Sequence, residues 1–222
     1  MRVNRGVALV VLAATVLVLL ACGDDVESIC LEGDTTFVGG YTIEEESDIA
    51  PLESYTCISG DLRVSAAELT GLELPNLERI GGDLVLAPSV NYQDLPSLNL
   101  ISLVSVGGNL HIIEEKTLEN LSGLSSLSSI GGELEIGGNE ALTSLAGLSH
   151  LVSVGENLAI NLNPSLTSLG MNALTEVGGG MSITQNSSLP QCEACELVEQ
   201  VGGDPQGVNA NLHDSCANYI CY

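Results

Sequence analysis

Aromatic side chains are nearly missing from this chain. Its 222 residues include five Tyr, one Phe and no Trp. A core of mixed helices and sheets ordinarily draws on large rings. Their scarcity argues against such a core and favours stacked coils, in which each layer offers the next a similar narrow surface and Leu, Ile and Val suffice. Basic residues are also scarce: five Lys and Arg stand against 29 Asp and Glu, a formal net charge of −24. Phosphate backbones are held by Lys and Arg, so a nucleic-acid partner is disfavoured. Charge-driven attraction to anionic lipid is disfavoured for the same reason. The acids do not follow the D-x-[DN]-x-[DN]-G spacing of a calcium loop, and no cofactor or metal motif is present. The charge reads as solubility and mutual repulsion between copies.

A long apolar run is missing too. The longest candidate, Val7 to Leu20, is interrupted by Thr15 and falls short of the roughly 20 residues a membrane-spanning helix needs. With Arg2 and Arg5 before it, residues 1–21 read as a secretion signal. The leader ends Leu19-Leu20-Ala21-Cys22, followed by Gly23. This resembles a bacterial lipobox, and the resemblance implies that Cys22 becomes the lipidated N-terminus. Gly23, where an Asp marks inner-membrane retention in such proteins, points to the outer membrane or cell surface. Residues 22–29 form an acidic tether. Once Arg2 and Arg5 leave with the leader, three basic residues remain.

What the chain has in abundance is a repeat. Ile80-Gly81-Gly82-Asp83-Leu84-Val85-Leu86 is followed by Val106-Gly107-Gly108-Asn109-Leu110-His111-Ile112. The phrase returns as Ile130-Gly131-Gly132-Glu133-Leu134-Glu135-Ile136, then at Val154 and at Val177. The steps are 26, 24, 24 and 23 residues, and a first coil aligned on Asp61-Leu62 adds a step of 22. This pitch belongs to a solenoid. In each coil the alternation of Leu134 and Ile136 with Glu133 and Glu135 is that of a half-buried strand. The glycines ahead of it are expected to take positive φ at a tight corner. Leu142, Leu145, Leu148, Leu151 and Val154 then recur every third residue. A helix would alternate threes and fours, so strict threes suit a chain turning corners around a polygonal core. Asn139, Asn163 and Asn186 each lie three residues after a strand's last inward residue, and are expected to stack as a structural ladder satisfying backbone groups. Residues 89–103 fit the repeat worst; Tyr92 and Gln93 are expected to bulge outward there, a weak candidate site. Glu44-Glu45-Glu46 reads as a solvated run.

The G-G-x-L-x-I strand, the N-x-x-L-x-x-L turn and the L-x-x-[IV]-G-G closure resemble the receptor L-domain family over roughly Cys30 to Cys216. The resemblance implies a short right-handed parallel β-helix with leucine-rich-like coils, and a non-catalytic extracellular binding module. No binding motif of those receptors is visible, so no binding residue is carried over. The expected architecture is all-β: a solenoid of about six coils over residues 30–190 and a small disulfide-rich cap over residues 191–222. The cap opens with a short helix at Glu193 to Val201, broken by Gly202-Gly203-Asp204-Pro205.

Seven cysteines are present. With Cys22 assigned to the lipid, six remain, an even set in an exported chain, which points to disulfides. They cluster at the two ends. Cys30–Cys57 is expected at the first. The last four allow three pairings, of which Cys192–Cys216 with Cys195–Cys221 is preferred. A redox or zinc role for Cys192-Glu193-Ala194-Cys195 lacks the expected context.

The function expected from these features is a non-catalytic surface lipoprotein whose solenoid mediates binding, adhesion or envelope scaffolding. It is held to a membrane by its lipid and meets a protein or glycan partner. The alternatives are a periplasmic spacer without a ligand and a polysaccharide-active enzyme. An enzyme needs converging acid, base or nucleophile groups, and the three histidines occupy different phases of the repeat. Only His111 lies on the strand face, in a row with Arg63, Val85, Glu135, Ala159 and Ser182. Arg63, His111, Glu135 and Tyr92 are therefore the candidate binding-face residues.

Overall fold

The computed structural model describes residues 29–65, 69–87, 95–203 and 208–209. The chain winds as a β-solenoid of about six turns, with each turn contributing to the same faces. One face is a parallel sheet of two-residue strands: Thr36–Phe37, Cys57–Ile58, Arg79–Ile80, Ser105–Val106, Ser129–Ile130, Ser153–Val154 and Glu176–Val177. The other is a broader parallel sheet: Tyr41–Ile43, Leu62–Val64, Leu84–Leu86, Leu110–Ile113, Leu134–Gly137, Leu158–Asn161, Met181–Thr184 and Val208–Asn209. The third side has only short pieces. Leu72–Glu73 pairs with Leu98–Asn99, single bridges join Asn120, Ser144 and Ser168, and 3₁₀ turns sit at Ser122–Leu124 and Ala146–Leu148. The every-third-residue leucines of this side are thus carried by tight turns and extended segments.

Register follows the alternation. Leu84, Leu110, Leu134 and Leu158 pair in sequence across the broad sheet, as do Leu86, Ile112, Ile136 and Ile160, and all eight are fully buried. A slip by one residue would turn this column to solvent. The shorter coil leading the stack carries Phe37, Tyr41 and Tyr55. Phe37 meets Tyr41 and Tyr55 edge to face, with centroids 5.3 and 5.6 Å apart. These are the aromatic rings of the described residues, and they sit together in the first coil. At the far end, the helix Gln191–Val201 buries Ala194, Cys195, Leu197 and Val198, and stops at Gly202 in the left-handed region (φ 69°).

The paired glycines have a different reason from the one expected. None of Gly81, Gly107, Gly131, Gly155 and Gly178 has positive φ. A Cβ on Gly107, Gly131, Gly155 or Gly178 would strike the carbonyl oxygen of the matching glycine one coil earlier, and one on Gly81 would strike that of Ser59. Coil spacing, not backbone handedness, excludes a side chain there. The second glycine makes room for a side chain. Cβ atoms on Gly82, Gly108, Gly132 and Gly179 would collide with the Oδ1 of Asp61, Asp83, Asn109 and Asn157. Glu156 fills this position in the coil that follows Glu133, where the preceding residue is not Asp or Asn. In the first coil the expectation holds at Gly39 (φ 103°); in the later coils positive φ recurs in a column at the end of the broad-sheet strands, Glu114 (59°), Gly138 (72°), Leu162 (61°) and Gln185 (59°).

Candidate functional site

Two polar ladders line the broad sheet, one at each end of its strands. The expected ladder is buried: Asn139, Asn163 and Asn186 are 0% exposed. Asn163 Oδ1 accepts from the Asn139 amide at 3.1 Å, and Asn186 Oδ1 from the Asn163 amide at 3.0 Å. Each Nδ2 donates to a carbonyl one coil earlier: Ile112, Ile136 and Ile160, at 3.0, 3.0 and 2.8 Å. The column begins one rung before the asparagines, with buried Glu115. Its amide donates to Asn139 Oδ1 and its carboxylate accepts from the Leu95 amide at 2.6 Å.

The second ladder escapes the sequence reading. Asp61 Oδ1 accepts from the Asp83 amide, Asp83 Oδ1 from the Asn109 amide, Asn109 Oδ1 from the Glu133 amide, and Asn157 Oδ1 from the Gly180 amide, at 2.7 to 3.0 Å. Its signal was the recurrent Asp or Asn after the glycines. The two ladders point in opposite directions: here a side chain accepts from the next coil, whereas each Asn of the buried ladder accepts from the preceding one.

Arg63, a candidate for the binding face, is engaged within this second ladder. Its Nη2 lies 2.9 Å from Asp61 Oδ2 and 3.7 Å from Asp83 Oδ2. The Asp83 amide, and Arg63 beside it, hold the Asp61 carboxyl below the usual carboxylate range against a smaller opposing effect of burial. His111 and Glu135 are adjacent in register, with Val85 and Ala159 on either side. All four side chains are half-buried on the outward side of the sheet. Among the described residues neither His111 nor Glu135 forms an ion pair, and a cleft of about 290 Å³ beside Ser168, Asn172, Glu193 and Glu196 lies away from them, at the C-terminal helix. Tyr92 and Gln93 lie outside the described residues, as do Cys22 and the leader.

Glu44-Glu45-Glu46 is not merely solvated. Glu45 and Asp48 form a reciprocal cap on the turn Glu46–Asp48, and Glu46 accepts from the amide and hydroxyl of Thr70.

Cys30 and Cys57 form a disulfide. With Asp34 they are the one cluster of metal-ligating side chains close enough to share an ion among the described residues. The sulfurs are bonded to one another, however, and Asp34 accepts from Arg79, Thr56 and the Leu31 amide. Cys192 and Cys195 are also disulfide-bonded, so neither presents a thiolate to a metal in this state. Their expected partners, Cys216 and Cys221, lie outside the described residues. Among the described residues, no helix is long and apolar enough to cross a membrane. No protein-family model, curated protein or solved structure matches the chain.

Proposed function

We propose that this chain is a non-catalytic surface lipoprotein of the receptor L-domain type, lipidated at Cys22, whose solenoid serves binding, adhesion or envelope scaffolding. The observation that carries this reading is the broad sheet. Eight parallel strands in one register make a platform roughly 34 Å across, at about 4.8 Å per strand. Its outward column runs Thr42, Arg63, Val85, His111, Glu135, Ala159 and Ser182. Such a surface is rigid and chemically varied along its length, which suits recognition of a macromolecular partner more than bond-making at one point. Both ladders hold the platform by bonds between side chains and backbone; of its outward residues, Arg63 pairs with the second ladder and Ser182 donates to Asn161.

The test is surface labelling of intact cells with a membrane-impermeant probe against an epitope-tagged chain, beside a Cys22→Ala control. Labelled wild type with soluble release of the control supports the proposal. Protection until the outer membrane is broken refutes surface adhesion and favours a periplasmic scaffold or spacer.

A further inference from the structure

The first described residues do not leave the solenoid from its end. Cys30 is bonded to Cys57 on the second coil. The Asp34 carboxylate accepts twice from Arg79 Nη1, at 3.0 and 3.3 Å, on the third. Ile29 reaches the fourth, where a Cβ placed on Gly107 would come 3.3 Å from its Cδ1. Cys57, Arg79 and Ser105, the residue two before Gly107, are successive partners in the short sheet. A disulfide and an ion pair thus fasten residues 30–34 along the outer side of one sheet, and Ile29 lies close to Gly107 at the middle of that flank.

We infer that the anchored protein lies on this flank, with the short sheet turned to the bilayer and the broad sheet turned away. The inference rests on the lipid proposed at Cys22. From Cys22 to Ile29 a fully extended chain spans at most about 25 Å, and a relaxed one about 15 Å. Bringing the broad sheet to the bilayer would take the tether around the body, across a sheet-to-sheet spacing of about 10 Å and a side-chain layer on each side. Beyond Arg79 the short sheet's outward column continues as Ser105, Ser129 and Ser153, neutral and small, and ends at Glu176. Asp61, Arg63, Asp83, His111 and Glu135 stand on the other sheet or at its edge, which makes that face the one offered to a partner.

The chain has no Trp, so a single introduced Trp reports its own position. Ser129→Trp and Ser153→Trp mark the short sheet, and Glu135→Trp and Ala159→Trp the broad one. Two positions per face cover a variant that fails to fold, as checked by far-UV circular dichroism. Each full-length lipoprotein, purified from a bacterial membrane fraction, is reconstituted in phosphatidylcholine vesicles carrying headgroup spin labels, and its fluorescence quenching is read after flotation. The expected result is about three-fold stronger quenching on the short sheet, because one face is held within the tether's relaxed reach. Equal or reversed quenching in protein that floats overturns the orientation and leaves the anchor standing. Wild-type protein that does not float refutes the anchor, and this inference with it.

Discussion

Replacing Asn163 with Ala tests whether the buried ladder holds the coils together. Asn163 is 0% exposed. Its Oδ1 accepts from the amide and the Nδ2 of Asn139, at 3.1 and 3.0 Å, and its Nδ2 donates to the Ile136 carbonyl at 3.0 Å and to Asn186 Oδ1 at 3.1 Å. Truncation removes these bonds from groups that have no route to water. The Asn139 amide loses its acceptor, and the Ile136 carbonyl loses a donor. At about 1–3 kcal/mol for each buried group left unsatisfied, the expected loss is about 3–5 kcal/mol, a large part of the 5–15 kcal/mol typical of a whole domain. Asn163→Leu, close in volume, should cost nearly as much, because the defect is one of hydrogen bonding rather than space. Urea unfolding followed by far-UV circular dichroism measures both, with Ser153→Ala as an outward control expected within about 0.5 kcal/mol of wild type. A cost below about 1 kcal/mol for Asn163→Ala, or a neutral Asn163→Leu, would refute the argument and make the ladder incidental to stability.

Three further outcomes follow from particular residues. Leu162 holds φ at 61° while 54% exposed; Leu162→Asn should raise stability by about 0.5–1 kcal/mol in the same assay, because a left-handed backbone costs Leu about 1–2 kcal/mol and Asn less. The Cys30→Ser, Cys57→Ser pair opens a loop of sequence separation 27 and should cost about 3–4 kcal/mol on the chain-entropy account, read as a lower urea midpoint for the double variant. The folded-state pKa of Asp61 is lowered, so its contribution is present above the unfolded value near 3.9 and is lost as pH falls through the folded one. Asp61→Asn should therefore flatten the loss of stability below about pH 4, as measured by thermal unfolding across pH.

Much of the fold was legible because the repeat writes each structural duty at a constant offset. The inward pairs of the G-x-L-x-I phrase set the register, and Asn at a fixed distance from them announced the buried ladder. What stayed hidden had no residue type of its own. The left-handed column holds Glu, Gly, Leu and Gln, so composition cannot reveal it; coil geometry imposes the turn whatever stands there. The glycine pairs after the first coil were visible but misassigned, since a conformational need, met at Gly39, and a close approach select the same residue. Arg63 looked free on its strand because its carboxylate partners sit at the ladder position, two residues away and one coil on. The outward column resisted reading for a deeper reason. Core positions repeat because every coil solves the same packing problem, whereas Arg63, Val85, His111, Glu135 and Ala159 answer to no shared constraint.

The Cys30–Cys57 bond also decides how the molecule bears tension. A pull applied upstream of Cys30 passes through the sulfur bridge into the second coil, so residues 31–56, with the aromatic trio of the first coil, form a covalent bypass that carries none of the load. Upstream of that bridge, Ile29 lies against Gly107 of the fourth coil. Force therefore arrives sideways and is shared, as on a strap sewn across several planks, and does not peel the stack open one coil at a time.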